Sequence, residues 1–306
     1  MLAVPGADRT VRSRAGRPRR AGPGGRRLSG ALPPAQRAAE LTELGGFAVF
    51  QVDAEGLLPL TTALDADHLA ERFAATRVGL ATGTGLPLAE VLPRTAVSAA
   101  QVGLVSRFWS IALASVALHG WVPDLTPDRV RVDPSHRNPS PLALEDPGAG
   151  RSVVGLTETV AAVEELVVHG AVAAVTDACR EHGRTSANVL VSNAASSLVA
   201  AARVLGGKVP TRASHLEAVS RQLLERPWLA AGGAYQSVTV EVVASSEADT
   251  ETDTEADTET DPETNPAAGS TQFKRTGCCL YYRLPGHGLC PDCVLVRPGH
   301  AADDHH

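Results

Sequence analysis

The chain has 306 residues, 43% hydrophobic, 20% charged and 4% aromatic, with a net charge of −6. That length holds one large domain or two modest ones with a sizeable core, and the composition is ordinary for a soluble globular protein. The net charge gives no reason to expect a nucleic-acid partner, and no stretch is read as approaching the ~20 apolar residues of a membrane span.

In chain order, residues 1–34 carry eight arginines among Gly and Pro and one acid, Asp8. They are read as a basic disordered extension, because no apolar run follows that would make them a secretory signal. A helix is expected at 35–44, a strand from Phe47 to Val52, and a helix at 65–80 with Leu69 and Phe73 four apart. The segment 96–119 reads as a helix whose apolar stripe runs through Val102, Val105, Trp109, Leu113 and Val116, stopped by Gly120 as a left-handed cap. Alternation at 129–132 and 142–145 predicts a small β-hairpin. Helices follow at 157–182, at 186–205 closed by Gly206 and Gly207, and at 213–226 stopped by Pro227. A final strand is expected at 237–243. Gly83-Thr84-Gly85 lacks the rest of a nucleotide fingerprint and reads as an ordinary loop.

The fold class is therefore mainly α (α+β): a helical substrate-holding body, 35–243, with short β-hairpins, followed by a small cysteine-rich segment. Between them, from Glu247 to Glu263, an acid occupies every second position. Repulsion among these carboxylates predicts an extended, disordered linker over 244–272. The segment 273–306 is too short to bury a core of its own and needs a staple.

Four of the five cysteines supply it. Cys278 and Cys279 are adjacent, ten residues intervene, and Cys290 and Cys293 form a C-x-x-C. The fifth, Cys179, lies in a helical pattern and reads as a small core residue. Zinc suits the second pair but not the adjacent pair. Two disulfides are possible, but a bond between neighbouring cysteines closes a small strained ring, and a reducing compartment opposes it. An iron–sulfur cluster takes four thiolates on its irons and accommodates neighbouring ligands more readily than one zinc. On spacing, the cluster ranks first, zinc second and disulfides third.

The run Cys278-Cys279-Leu280-Tyr281-Tyr282-Arg283-Leu284-Pro285-Gly286, closing with Cys290, Cys293 and Val294-Leu295, resembles the FhuF-like ferric-siderophore reductases. Weaker likeness extends to Arg107-Phe108-Trp109-Ser110 and to Ser192-Asn193-Ala194-Ala195-Ser196. The resemblance implies a [2Fe–2S] cluster on Cys278, Cys279, Cys290 and Cys293. It also implies one-electron reduction of a chelated Fe³⁺, since Fe²⁺ is held less tightly by hard oxygen donors. Such a protein is a ferric reductase of iron transport and homeostasis, cytoplasmic or peripheral at the inner face of the membrane. Its partners are a ferric siderophore, of hydroxamate type, and an electron-donor protein such as a ferredoxin or flavin reductase.

Pro291 departs from the glycine common in the family, which removes one N–H of the kind that tunes a cluster. Arg107 is the candidate for meeting an anionic chelate and Asn193 for hydrogen-bonding its oxygens. The competing readings are a snorkelling surface arginine and a satisfied core amide. Trp109 reads as core. Lys274, Arg275 and Arg283 make the cysteine surroundings basic, and His287 is a minor candidate ligand. The rival function is a non-catalytic siderophore-binding or iron-sensing module with a structural zinc tail.

Overall fold

A computed structural model describes residues 32–237 and 271–295. The basic extension, the strand expected beyond Ser237, the acidic run and the terminal His300, His305 and His306 lie outside these described residues.

The body is built around one helix. The chain enters through α1 (Pro34–Leu44), β1 (Leu58–Pro59), the short α2 (Leu60–Ala63) and α3 (Ala66–Thr84), then forms α4 (Pro93–His119). Proline at the first position of α4 costs no hydrogen bond, and Gly120 ends it in the left-handed region (φ 57°, ψ 41°), donating its N–H to the Val116 carbonyl. The expected single apolar stripe is too narrow. From Leu104 to Ala117 nearly the whole circumference is buried, including Phe108, Trp109, Ile111 and Leu113. A helix apolar all round belongs at the centre of a bundle.

The strands β2 (Trp121–Pro123), β3 (Val130–Val132), β4 (Leu142–Leu144) and β5 (Gly150–Ser152) follow. The expected hairpin is β3 paired antiparallel with β4, extended by β1 on the other edge of β3; β2 pairs with β5. The long helical stretch that comes next is interrupted. α5 (Gly155–Val163) passes into a π-helical segment, Glu164–Val172, before α6 (Ala173–Gly183). The cause lies at Gly170, whose φ/ψ is non-helical. A Cβ there would meet the Leu125 carbonyl oxygen at 2.6 Å, and Ala171 donates its N–H to that oxygen at 2.8 Å, so a neighbouring carbonyl enters the helix ladder.

α7 (Ala187–Lys208) runs through Gly206 and Gly207 rather than stopping at them. α8 (Ala213–Leu224) ends before Pro227, which then starts a four-residue helix, α9 (Pro227–Ala230). The strand β6 (Gly233–Ser237) pairs antiparallel with β7 (Thr271–Arg275), Tyr235 opposite Phe273. Thr271 and Gln272, assigned in sequence to the linker, are thus the start of a strand paired to the body.

Two further expectations are corrected. Residues 47–52 are not a strand: Gly46–Ala48 is a turn of 3₁₀ helix, and only Gln51 bridges to Ala143. The carbonyls of Gly46, Phe47 and Val49 are taken by the guanidinium of Arg107 instead of a ladder. Membrane-span length is also reached. Pro93–His119, Gly155–Gly183 and Ala187–Lys208 are each long and apolar enough to cross a bilayer. Within this fold most of their surface is buried, and α4 and α7 lie against each other with the Trp109 indole N–H on the Ala194 carbonyl at 3.0 Å.

Candidate metal centre

The cysteine segment is seated on α7 by a polar strip that repeats at helical spacing: Asn188, Ser192, Asn193 and Ser196. Ser192 Oγ accepts the Gly277 N–H at 2.8 Å and contacts Thr276 Oγ1 at 2.9 Å. Asn188 Nδ2 donates to the Thr276 carbonyl at 3.2 Å, and Ser196 Oγ donates to the Asp292 carboxylate. Gly277 is obligatory at this approach. A Cβ on it would stand 2.7 Å from the Asn188 carbonyl oxygen and 3.0 Å from Ser192 Oγ. The small and polar run in α7 therefore brings another backbone close, as its side chains permit, and the backbone is that of the cysteine segment.

Beneath this seat a chain of hydrogen bonds runs into the body. Asn193 Nδ2 donates to Ser98 Oγ at 2.9 Å and to Gln101 Oε1 at 3.0 Å. Ser98 in turn donates to the Cys279 carbonyl at 3.0 Å, and Gln101 Nε2 donates to Thr176 Oγ1 and the Leu190 carbonyl. The side chains of Ser98, Gln101 and Asn193 are at most 1% exposed and each is paired, so the network fixes three helices and the cysteine backbone in one arrangement.

Arg275 closes the network from the other side by donating Nη2 to Asn193 Oδ1. It is 6% exposed, its Nε has no partner, and among the described residues it makes no ion pair. A buried cation left in this state needs an anion, because desolvating a charge without a partner is costly. Its charge acts on the thiols of Cys278 and Cys279.

Cys279 and Cys290, one from each half of the motif, stand with sulfurs 3.9 Å apart. The Cys290 thiol donating to it brings Cys279 down to about 6, aided by the Arg275 charge, and the same contact pushes Cys290 up. Burial raises Cys278, while the Leu280 N–H donates to its sulfur at 3.4 Å. The Leu295 N–H donates to Cys293 at the same distance. All four thiols are free of disulfides, and Cys279 and Cys293 are buried. Among the described residues no three His, Cys, Asp or Glu side chains close around one ion. A two-iron cluster takes its thiolates in pairs on separate irons.

The second pair sits on a tight turn. Cys293 donates its N–H to the Cys290 carbonyl at 2.9 Å, with Pro291 and Asp292 between them. Proline presets the backbone at the first central position of such a turn, so the departure at position 291 has a structural use.

Residues 275–295 match the FhuF 2Fe-2S C-terminal domain. The resemblance drawn from the cysteine spacing is thus shown for this segment, and the FhuF-type domain is one that binds a [2Fe–2S] cluster. No curated protein matches the chain. The donor set fits such a group: soft sulfur ligands, two backbone N–H donors to sulfur and a buried, incompletely paired arginine to balance an anionic centre.

The two residues proposed in sequence for substrate, Arg107 and Asn193, are both buried and bonded within the protein. Arg107 is 2% exposed and holds the Ser140 carbonyl through Nε at 3.0 Å besides the three carbonyls near residue 47. Burial lowers it to about 10, so it remains a cation at neutral pH, but its N–H groups are spent on backbone. Asn193 is 1% exposed and serves the network already described. His287 is exposed, with Nδ1 3.2 Å from the Pro285 carbonyl. Sequence reasoning missed Ser98, Gln101, Thr276 and Gly277. Ser98 and Gln101 carried a signal, being polar residues three apart in an apolar helix.

Proposed function

We propose that this protein is a ferric-siderophore reductase, with Cys278, Cys279, Cys290 and Cys293 holding the [2Fe–2S] cluster. The cluster supplies one electron to a chelated Fe³⁺, which leaves as Fe²⁺ because the reduced ion is held less tightly by oxygen donors. An electron-donor protein, such as a ferredoxin or flavin reductase, restores that electron. The protein's own residues then have three tasks. The α7 strip and the Ser98 hydroxyl hold the cysteine backbone, Arg275 offsets the negative charge that grows on reduction, and the amides of Leu280 and Leu295 do the same at two sulfurs. No proton transfer is needed. Free thiols suit a reducing compartment, and the reading puts the reaction in the cytoplasm or on the inner face of the membrane.

The observation that carries this reading is the FhuF-type match over the same cysteines that the fold seats on a buried, cationic shelf. The test is a single-turnover titration. Protein reduced under anaerobic conditions is mixed with a ferric chelate in the presence of an Fe²⁺ trap. One trapped Fe²⁺ per reoxidised cluster is expected. A cluster that stays reduced while the chelate binds would make the protein a binding module instead.

A further inference from the structure

Two cavities adjoin the cysteine loop, on different faces. The larger, about 590 Å³, touches Pro291 and Asp292 and is lined by Arg203, Glu217, Tyr235 and apolar residues of α7. Its acids outnumber its cation, and Asp292 is already engaged by Ser196. The smaller, about 390 Å³, lies between α3, α4 and the β3–β4 connection, and Tyr281 forms part of its wall. Tyr281 is two residues beyond Cys279, so this cavity and the cluster site share one short stretch of chain.

The smaller cavity is built to receive something polar. Arg72, His136, Arg137, Asn138 and Ser140 line it. Ser140 is 3% exposed and its hydroxyl has no partner; the buried His136 Nδ1 has none either. Arg72, 6% exposed, spends Nη2 on the Asp133 carbonyl at 3.2 Å. The Asp133 carboxylate is bonded to Arg137 and to the Ser135 N–H and acts on the Arg72 charge only at a distance, so Arg72 makes no ion pair among the described residues. Buried donors and a buried cation of this kind are costly unless a guest completes them. Arg107 also finds a use here: through its bond to the Ser140 carbonyl it fixes the backbone carrying the unpartnered hydroxyl.

Resting on the reductase reading, we propose that this cavity is the substrate site and that its substrate is an anionic ferric chelate, with carboxylate or catecholate donors. The guest's negative oxygens pair with Arg72 and accept from Ser140, and Tyr281 forms the cavity wall on the side of the cysteine loop. One electron passes from the reduced cluster to Fe³⁺. No bond is made or broken in the protein, and the donor protein supplies the next electron. A ferric trihydroxamate is neutral at its metal core and leaves Arg72 uncompensated, so the cavity selects against the hydroxamate type expected from sequence.

The test uses gallium(III) chelates, which cannot be reduced, so that binding is read apart from turnover. Calorimetry on the full, cluster-loaded chain compares gallium citrate, a gallium tricatecholate and a neutral gallium trihydroxamate. At least one anionic probe binds about tenfold or more tightly than the neutral one, the worth of one charge-assisted hydrogen bond. Arg72→Gln removes that preference. Because Arg72 is buried and its substitution also perturbs the fold around it, Gly79→Leu is the second variant: Gly79 lines the cavity on an exposed face of α3, and a Cβ there meets nothing within 4 Å. It narrows the cavity and weakens the anionic probes about tenfold, while the visible spectrum of the cluster is unchanged. Equal binding of neutral and anionic probes, or unchanged affinity in Gly79→Leu, overturns the proposal. If the anionic probes bind as expected but no Fe²⁺ is trapped in the titration above, the reductase reading fails and the anion site stands.

Discussion

Around Trp109 the body excludes water from Phe108, Ile111, Leu113 and Leu198 altogether, whereas around Cys279 the segment buries only Phe273 and Leu284 of its large apolar side chains. Tyr282, Leu289, Val294 and Leu295 stay at 39–48% exposure. The body is held by apolar burial along α4 and α7. The cysteine segment is held by a β-pairing, a strip of hydrogen bonds and the group its thiols bind. Small segments without a core depend on such staples. The contrast teaches that one chain can keep its helical body stable while leaving its metal site dependent on a few polar contacts, and the two halves should therefore break separately.

The largest separation is expected from Cys279→Ser. It removes a ligand and should abolish the visible absorption of the cluster, while helix content and the thermal transition of the body, read by far-UV circular dichroism, persist. Loss of both signals together would mean that the segment is part of the body's folding unit. The opposite cut is Trp109→Ala. It empties a fully buried site and strips the indole N–H from the Ala194 carbonyl, and should cost about 3–5 kcal/mol in chemical denaturation, with colour lost only as the helices unfold.

Asn193→Leu acts at the join. It strands Arg275, Ser98 and Gln101 in a dry site, at about 1–3 kcal/mol for each unsatisfied group. The cluster should be lost to a chelator markedly faster than from the parent protein, and a parent-like rate would show that the network does not hold the segment. Arg275→Gln is subtler. Removing a buried positive charge disfavours the more negative reduced state, so the midpoint potential should fall while the oxidised spectrum is kept. The smallest effect belongs to Cys179→Ser. That thiol is enclosed in the body, and burial pushes it up to about 12, so colour and potential should both be unchanged.

The elements that could be read from sequence were those with local causes. The stop of the long helix at Gly120, the β3–β4 hairpin and the stop before Pro227 follow from a left-handed glycine, strand alternation and a missing N–H. The failures have distant causes. Nothing between Phe47 and Val52 announces that an arginine 60 residues away will take its carbonyls, and nothing near Gly170 announces the Leu125 oxygen. An all-apolar helix also looks the same to a composition argument whether it will be wrapped by protein or by lipid, which is why three span-length helices went unnoticed.

At the site, the cysteine spacing and its neighbours led directly to the FhuF-type segment, since a metal site on one short stretch is written locally. The Ser192–Ser196 run, marked in sequence by its weaker likeness to the family, is where the cysteine segment is seated. Arg107 and Asn193 were chosen because they are polar in apolar helices. Such residues are as often bound to backbone as aimed at a ligand, and here both are internal ties. Of the residues that line the basic cavity, His136, Arg137, Asn138 and Ser140 lie in the loop after β3, where no periodicity marks them.

The central claim is that the four clustered cysteines hold a [2Fe–2S] cluster that moves one electron. Iron and acid-labile sulfide counted on protein purified without oxygen, together with its visible spectrum before and after reduction, test it most directly. The account predicts a brown protein with equal iron and sulfide, about two of each per chain, whose colour bleaches on taking up one electron. A colourless protein carrying one zinc and no sulfide would contradict it.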